Sequence, residues 1–145
     1  MMEGFRFSHR LRVRYSEIDG QKIVFNAHYL TYIDVAVIDY FEEVFGRDLE
    51  ELAQENIFDI AMVKSTLEYK KPARFKDTLE IWCRTSRIGG SSLTMEFVIT
   101  KAGEKDPLVQ AEVIYVNYDA AAGKSRAIPD FVRQRIKEYE PAVSL

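Results

Sequence analysis

Residues 14–29 read Arg-Tyr-Ser-Glu-Ile-Asp-Gly-Gln-Lys-Ile-Val-Phe-Asn-Ala-His-Tyr, and this stretch decides how the rest of the chain is interpreted. A polar strand ends here, a tight connection carries Asp19, and Asn26 precedes a long, strongly apolar helical segment. We expect Asn26 to cap that helix, because its short side chain can accept a hydrogen bond from a first-turn amide. This order aims the Asp19 carboxylate at backbone N–H groups that lack partners within the helix. The N–H groups can hold a carbonyl oxygen while the carboxylate attacks the carbonyl carbon or helps water to attack it.

The segments on either side of this stretch have different periods. Residues 5–15 alternate apolar side chains with Arg and Ser, which predicts a half-buried strand with one charged face. Residues 27–45 repeat apolar side chains at helical spacing, and their apolar surface extends well beyond one stripe. A helix of this kind must be enclosed on several sides. Gly46 is its expected C-terminal stop.

The remainder of the chain predicts an antiparallel meander. Alternating apolar and polar side chains indicate four strands, at residues 61–69, 78–86, 91–100 and 108–118. Gly89-Gly90 predicts a tight hairpin, residues 119–123 a turn, and Pro129 the first residue of a terminal helix through Tyr139. The sum is an α+β fold in which a strongly curved antiparallel sheet wraps around one long central helix, as a single domain over residues 1–145. Its open sheet edges favour pairing with a second copy.

Bulk properties exclude several classes of function. A net charge of −3 and a pI of about 5.5 exclude wholesale nucleic-acid binding through a basic field. The single cysteine, Cys83, has no partner for an internal disulfide, which fits a reducing compartment. His9 and His28 share no metal-ligand spacing, so we expect no metal site. No apolar run approaches the roughly 20 residues that cross a bilayer, and the N-terminus has no apolar signal core. We therefore expect a soluble, cytoplasmic protein.

Two motifs carry a family resemblance. The first contains Arg14, Tyr15 and Asp19, and continues into the helix with Val24, Asn26, Tyr29 and Asp34. The second is the passage Leu67-x-Tyr69-x-x-Pro72-Ala73-Arg74-x-x-Asp77-x-Leu79. On these motifs, in this order over roughly residues 7–138, the chain resembles the hot-dog-fold acyl-CoA thioesterases of the 4-hydroxybenzoyl-CoA thioesterase type. One departure is Lys22, because the family commonly has Gly three residues after the catalytic Asp. The nearby Gly20 suggests a turn shifted toward it.

The resemblance implies a site and a reaction. Asp19 would act as nucleophile or as general base for water, and amides near Asn26 and Ala27 would polarise the thioester oxygen. The products would be a free acid and coenzyme A, formed without a metal or organic cofactor. The resemblance also implies a dimer or tetramer with its sites at the subunit interface. The side chains that would contact the substrate beside Asp19 and Asn26 are Val24, Phe25, Tyr29 and Asp34.

Several of these residues have a plainer interpretation from the sequence alone. Asp19 before Gly20 is more typical of a turn residue when spacing is the sole guide. Glu17, two residues earlier, is interpreted as a surface side chain rather than as an acid–base partner. Tyr29 is explained equally by packing, and Asp34 by a paired charge, since burial on this helix would require a partner.

A basic loop and two other functions complete the analysis. Lys70, Lys71 and Arg74 surround Pro72 and suit the phosphates of coenzyme A, although a solvated loop explains the lysines too. Arg74 is the best single candidate because its planar fork can grip phosphate. A non-catalytic acyl-CoA binding or sensing protein on the same fold is the main alternative. A hydratase or dehydratase is less favoured, since its Asp-plus-His signature is not visible.

Overall fold

In the computed structural model, which describes residues 2–145, an antiparallel sheet curves around one long helix. The strand order is β1-β3-β4-β5-β2. The short strand β6 pairs antiparallel with the last three residues of β5. The strands are β1 (Phe7–Arg12), β2 (Ile60–Tyr69), β3 (Thr78–Ile88), β4 (Ser92–Lys101), β5 (Pro107–Asp119) and β6 (Lys124–Arg126). The helices are α1 (His28–Phe45), α2 (Leu49–Gln54) and α3 (Asp130–Tyr139). The α+β prediction is confirmed, whereas β6 was not predicted.

Helix α1 is the centre of the hydrophobic core. Its fully buried side chains recur every three or four residues, so one broad face packs on the concave side of the sheet. Each of these large side chains contributes about 1.5–3 kcal/mol when removed from water. Gly46 ends the helix in a left-handed conformation with φ 66°, as the sequence predicts. The buried residues at the middle of the helix are Ile33, Ala36, Val37, Tyr40 and Phe41.

Three predicted boundaries are wrong, each for a local reason. The first strand ends at Arg12 instead of residue 15, because Tyr15–Glu17 forms a short 3-10 turn that leaves Tyr15 76% exposed. The N-cap of α1 is Ala27 rather than Asn26, and Ala27 has helical backbone angles and no side-chain cap bond. Pro129 is the N-cap of α3 instead of its first residue, because its ψ of 150° is extended rather than helical.

Strand β2 forms an exposed edge of the sheet. Its pairing with β5 shifts register between Met62 and Lys64, which leaves Val63 as an extra, 59% exposed residue. The bulge puts Met62, not Val63, on the same face as Leu67, and the predicted alternation is wrong at that point. On the adjoining helix, Val35 is also 44% exposed. A single chain therefore leaves part of the apolar surface of α1 and β2 uncovered.

A buried polar cluster fixes the end of α3 to the core. The Tyr40 hydroxyl donates to the Glu140 carboxylate at 2.8 Å, and the Thr85 backbone N–H donates to the same oxygen at 3.0 Å. Burial raises the pKa of Glu140 above its usual range. This cluster joins α1 and β3 to the residue that follows α3.

Candidate active site

Asp19 lies at the tip of a tight hairpin that precedes α1. Its backbone N–H donates to the Ile23 carbonyl at 2.9 Å, and its carbonyl accepts from the Lys22 N–H at 2.9 Å. One carboxylate oxygen, Oδ1, accepts from the Gln21 N–H at 2.8 Å. The other, Oδ2, has no hydrogen-bond partner among residues 2–145. The side chain thus stabilises its own turn and keeps one oxygen free.

Lys22 occupies the left-handed region of this turn, with φ 64°. A left-handed residue that closes a tight hairpin is a position at which Gly is favoured. Gly20 does not have a positive φ, so the expected shift of the turn toward Gly20 is wrong. The chain keeps the backbone geometry that suits Gly three residues after Asp19, but with a lysine in its place.

We predict that Lys22→Gly stabilises the fold by up to about 1 kcal/mol, because the relief of left-handed strain exceeds the entropy that Gly adds to the unfolded chain. Urea denaturation of the two proteins measures the difference. Gly20→Ala is the matched control, because a Cβ there meets no atom within 4 Å. It should stabilise by about 0.4–1 kcal/mol, through the unfolded state alone. A loss of stability in Lys22→Gly would contradict the assignment of strain to Lys22.

The start of α1 presents free amides. Within residues 2–145, the backbone N–H groups of Asn26 and Ala27 have no hydrogen-bond acceptor, and no side chain caps the helix. The helix dipole adds partial positive charge at this end. An uncapped start with two unpartnered donors is suited to holding an oxygen that gains negative charge.

A cleft of about 400 Å³ opens beside Asn26, the first of these two residues. Five of the predicted site residues line it, namely Val24, Asn26, Tyr29, Lys70 and Lys71. The Tyr29 side chain is also structural, since its hydroxyl accepts from the Ala73 N–H at 3.1 Å. Asp19, Phe25 and Arg74 do not line this cleft, and Phe25 packs edge-on against His28.

Asp34 lies in a second cleft, of about 660 Å³, between α1, α2 and β2. It is six residues after the first residue of α1, about 9 Å along the helix axis. Ile38, Met62 and Tyr115 give this cleft a largely apolar wall, and burial raises the pKa of Asp34. The buried Tyr115 hydroxyl has no hydrogen-bond partner within the described part of the chain. The structure therefore separates Asp34 from the cleft at the helix start.

The predicted basic loop is partly neutralised. Lys71 contacts Asp106 at 2.6 Å, which raises the pKa of Lys71, and Lys70 contacts Glu68 at 3.2 Å. The Arg74 guanidinium has no carboxylate within 4.0 Å among the residues described, although its backbone N–H donates to Asp77. Arg74 is therefore the member of the loop whose charge is free for a ligand.

Glu17 is the site residue that the sequence interpretation missed. It was expected on the surface, but it is only 4% exposed. Its carboxylate accepts from the Tyr32 hydroxyl at 2.9 Å and from the Arg14 backbone N–H and guanidinium at 2.8 Å each. Burial alone would raise its pKa, but these hydrogen bonds outweigh burial and lower the pKa of Glu17. Tyr32, on the buried face three residues after Tyr29, was the available signal.

Metal and membrane features were also assessed. Between residues 2 and 145, no three His, Cys, Asp or Glu side chains are placed to hold a metal ion together. No helix in this range combines the length and apolar character needed to span a bilayer. The two histidines lie apart: His9 Nδ1 is 2.7 Å from Asp39 Oδ2 of α1, and His28 is the first residue of that helix.

Comparison with known proteins agrees with this architecture. A family model described as the thioesterase-like superfamily matches residues 13–136. The acyl-CoA thioester hydrolase YbgC of Escherichia coli is 30% identical over 128 residues, which cover 88% of this chain and 93% of that protein. The long-chain acyl-CoA thioesterase FadM of Escherichia coli is 25% identical over 129 residues, covering 89% and 96%.

Comparison with solved structures also finds a thioesterase. A thioesterase from Thermus thermophilus, in complex with coenzyme A and Zn, superposes with a TM-score of 0.81 at 28% identity, covering 97% of this chain and 98% of that one. Fold and site together define a hot-dog enzyme that hydrolyses thioesters. The chain belongs to the thioesterase-like superfamily, which confirms the resemblance drawn from its two motifs.

Proposed function

We propose that this enzyme hydrolyses acyl-CoA thioesters to a free acid and coenzyme A, with Asp19 as nucleophile or as general base for water. The observation that carries the proposal is the uncapped start of α1, where the Asn26 and Ala27 amides are unpartnered and a cleft adjoins Asn26. The hairpin that holds Asp19 leads directly into these amides. The names of the two relatives from Escherichia coli support acyl-CoA as the substrate class.

In the proposed mechanism, the amides act on the oxygen and the carboxylate acts on the carbon. The thioester oxygen accepts from the Asn26 and Ala27 N–H groups, which stabilise the charge that develops there as the carbon becomes tetrahedral. A single donor of this kind contributes about 10²–10³ to kcat. As general base, the free Oδ2 of Asp19 takes a proton from water while the water oxygen bonds to the carbon. As nucleophile, the same oxygen bonds to the carbon and forms an anhydride that water then cleaves.

Both routes end with loss of the thiolate. The C–S bond breaks as the carbonyl reforms, and the sulfur of coenzyme A leaves as a thiolate and is protonated from solvent. Because a thioester is already electrophilic and thiolate leaves readily, a carboxylate and oxyanion donors suffice. We therefore propose a reaction without a metal or organic cofactor, in the cytoplasm, where a buried free thiol such as Cys83 stays reduced.

The phosphates of coenzyme A are proposed to bind the basic loop. Lys70 and Lys71 line the cleft at the helix start, and each is held by a surface carboxylate that phosphate would displace. Arg74 supplies an unpaired fork that can grip a phosphate through two hydrogen bonds.

The acyl group is proposed to lie along α1. Both clefts open between α1 and β2, since Tyr69 of β2 lines the first and Met62 lines the second. An acyl group held at the helix start by Val24 and Tyr29, which line the first cleft, would extend from there toward Asp34. The apolar wall of the second cleft supports this direction.

We also propose that the enzyme self-associates, as a dimer or a tetramer built from dimers, with its sites at the subunit interface. The free edge of β2 and the exposed Val35 and Val63 support this proposal. Two copies of one strand related by a two-fold axis run antiparallel, so β2 pairing would continue the sheet.

A panel of short, long and aryl acyl-CoAs tests the reaction. We expect release of free thiol in step with release of acid, and a kcat/KM that is highest for one acyl class. Detection of coenzyme A with a thiol reagent gives the rate. Saturable binding of acyl-CoA with no thiol release would instead indicate a binding or sensing protein. Hydration of an enoyl-CoA without thiol release would indicate a hydratase.

A further inference from the structure

We propose that Glu17 and Tyr32 are positioning residues, which hold the Asp19 hairpin and the first amides of α1 in their catalytic arrangement. This inference rests on the proposed role of Asp19. Neither side chain need touch substrate, since Glu17 and Tyr32 are both buried. Their contribution would be to geometry, where a displacement of about 1 Å can change a rate by 100-fold.

The Glu17 side chain connects the hairpin to the body of α1. Its Oε1 accepts from the Tyr32 hydroxyl at 2.9 Å, and Tyr32 lies in the second turn of the helix. The same oxygen accepts from the Arg14 N–H at 2.8 Å, which secures the chain before the hairpin. Because the carboxylate is ionised and buried, these hydrogen bonds are charge-assisted and therefore strong.

The Glu17 backbone connects the two reacting parts of the site. Its carbonyl accepts from the Phe25 N–H at 3.0 Å, which is the bond that closes the base of the hairpin. Asp19 lies two residues after Glu17, inside the hairpin, and Asn26 lies one residue after Phe25, where the hairpin leads into α1. A movement of Glu17 would therefore change the distance between the Asp19 carboxylate and the Asn26 and Ala27 amides.

A second cluster in the same chain provides a matched control. Tyr40, also on α1 and also buried, donates to the buried Glu140 carboxylate at 2.8 Å. Tyr40→Phe and Tyr32→Phe each remove one phenol that donates to a buried carboxylate from the same helix. Glu140 joins the end of α3 to β3, and within residues 2–145 it has no hydrogen bond to any of residues 17–27. The two substitutions should therefore resemble each other in stability but differ in catalysis.

The experiment compares Tyr32→Phe, Tyr40→Phe and Asp19→Asn in an acyl-CoA hydrolysis assay at 25 °C, with the folded fraction measured by circular dichroism. We expect Tyr32→Phe to lower kcat by about tenfold to 100-fold with little change in KM. Tyr40→Phe should keep the wild-type kcat. Glu17→Gln, which keeps an acceptor oxygen but loses the charge, should lower kcat in the same way. The double variant Asp19→Asn/Tyr32→Phe should be no slower than Asp19→Asn, because Tyr32 acts through Asp19.

The outcomes separate this inference from the proposed function. If Asp19→Asn abolishes turnover while Tyr32→Phe and Glu17→Gln keep the wild-type kcat, the positioning role is wrong and the proposed function stands. Equal losses of kcat in Tyr32→Phe and Tyr40→Phe would also overturn the positioning role, because they would reflect stability alone. If Asp19→Asn keeps full activity, the catalytic role of Asp19 is wrong and the positioning role falls with it.

Discussion

Asp19→Asn is expected to leave a folded protein whose kcat for acyl-CoA hydrolysis is at least about a thousandfold lower, a loss of about 4 kcal/mol of transition-state stabilisation. The turn should survive, because the asparagine carbonyl can still accept the Gln21 N–H that Asp19 Oδ1 accepts at 2.8 Å. What disappears is the charge and the free Oδ2 that attacks the thioester or deprotonates water. Residual turnover would come from the amides at the start of α1.

The chain offers a matched control for this substitution. Asp119, the last residue of β5, begins a turn of similar chemistry, in which its Oδ1 accepts from the Ala121 N–H at 3.1 Å. Asp119→Asn should therefore retain both its turn and the wild-type kcat. Single-turnover kinetics and near-ultraviolet circular dichroism on the two variants distinguish chemistry from folding. Turnover like that of the wild type in Asp19→Asn would end the assignment of Asp19 as the reacting carboxylate.

The elements of the fold were predictable because their periods are strong. The apolar residues of 27–45 recur at a spacing that fits a helix and not a strand. The four strand patterns after it alternate over nine or more residues. Val63 was misassigned because a bulge adds one residue without changing the pattern on either side of it. Asn26 was misassigned as the cap because cap preference is a local tendency, and here residues 25–27 already turn as α1 begins.

The candidate site was predictable only where adjacent segments meet. Val24, Asn26 and Tyr29 share a cleft with Lys70 and Lys71, because the hairpin pairs with the loop after β2 through Val24 and Ala73. Asp34 is eight residues after Asn26, about 12 Å along a helix. Residues of the first motif therefore line two different clefts, Asn26 the first and Asp34 the second. The signal for the burial of Glu17 was not near it in the chain, since its hydroxyl partner, Tyr32, lies fifteen residues later.

The last prediction concerns self-association, for which the double variant Val35→Lys/Val63→Lys is expected to convert an oligomer to a monomer. Both side chains are exposed in the single chain, at 44% and 59%, so the lysines should not disturb its fold. They lie on α1 and on the free edge strand β2, the two elements that the proposed dimer would cover. In a two-fold dimer each substitution occurs twice, which places four charges where apolar surface would be buried.

Burying an unpaired charge costs several kcal/mol, so the dissociation constant of the dimer should rise by at least about a thousandfold. Sedimentation equilibrium over a range of concentrations measures it. Leu145→Lys is the control, because Leu145 is comparably exposed, at 67%, but lies at the C-terminus instead of on α1 or β2. A double variant with the mass of the wild-type oligomer would exclude this surface as the interface. If the sites lie between subunits, loss of the oligomer should lower kcat/KM in proportion to the monomer fraction, and dilution of the wild type should lower it in the same way.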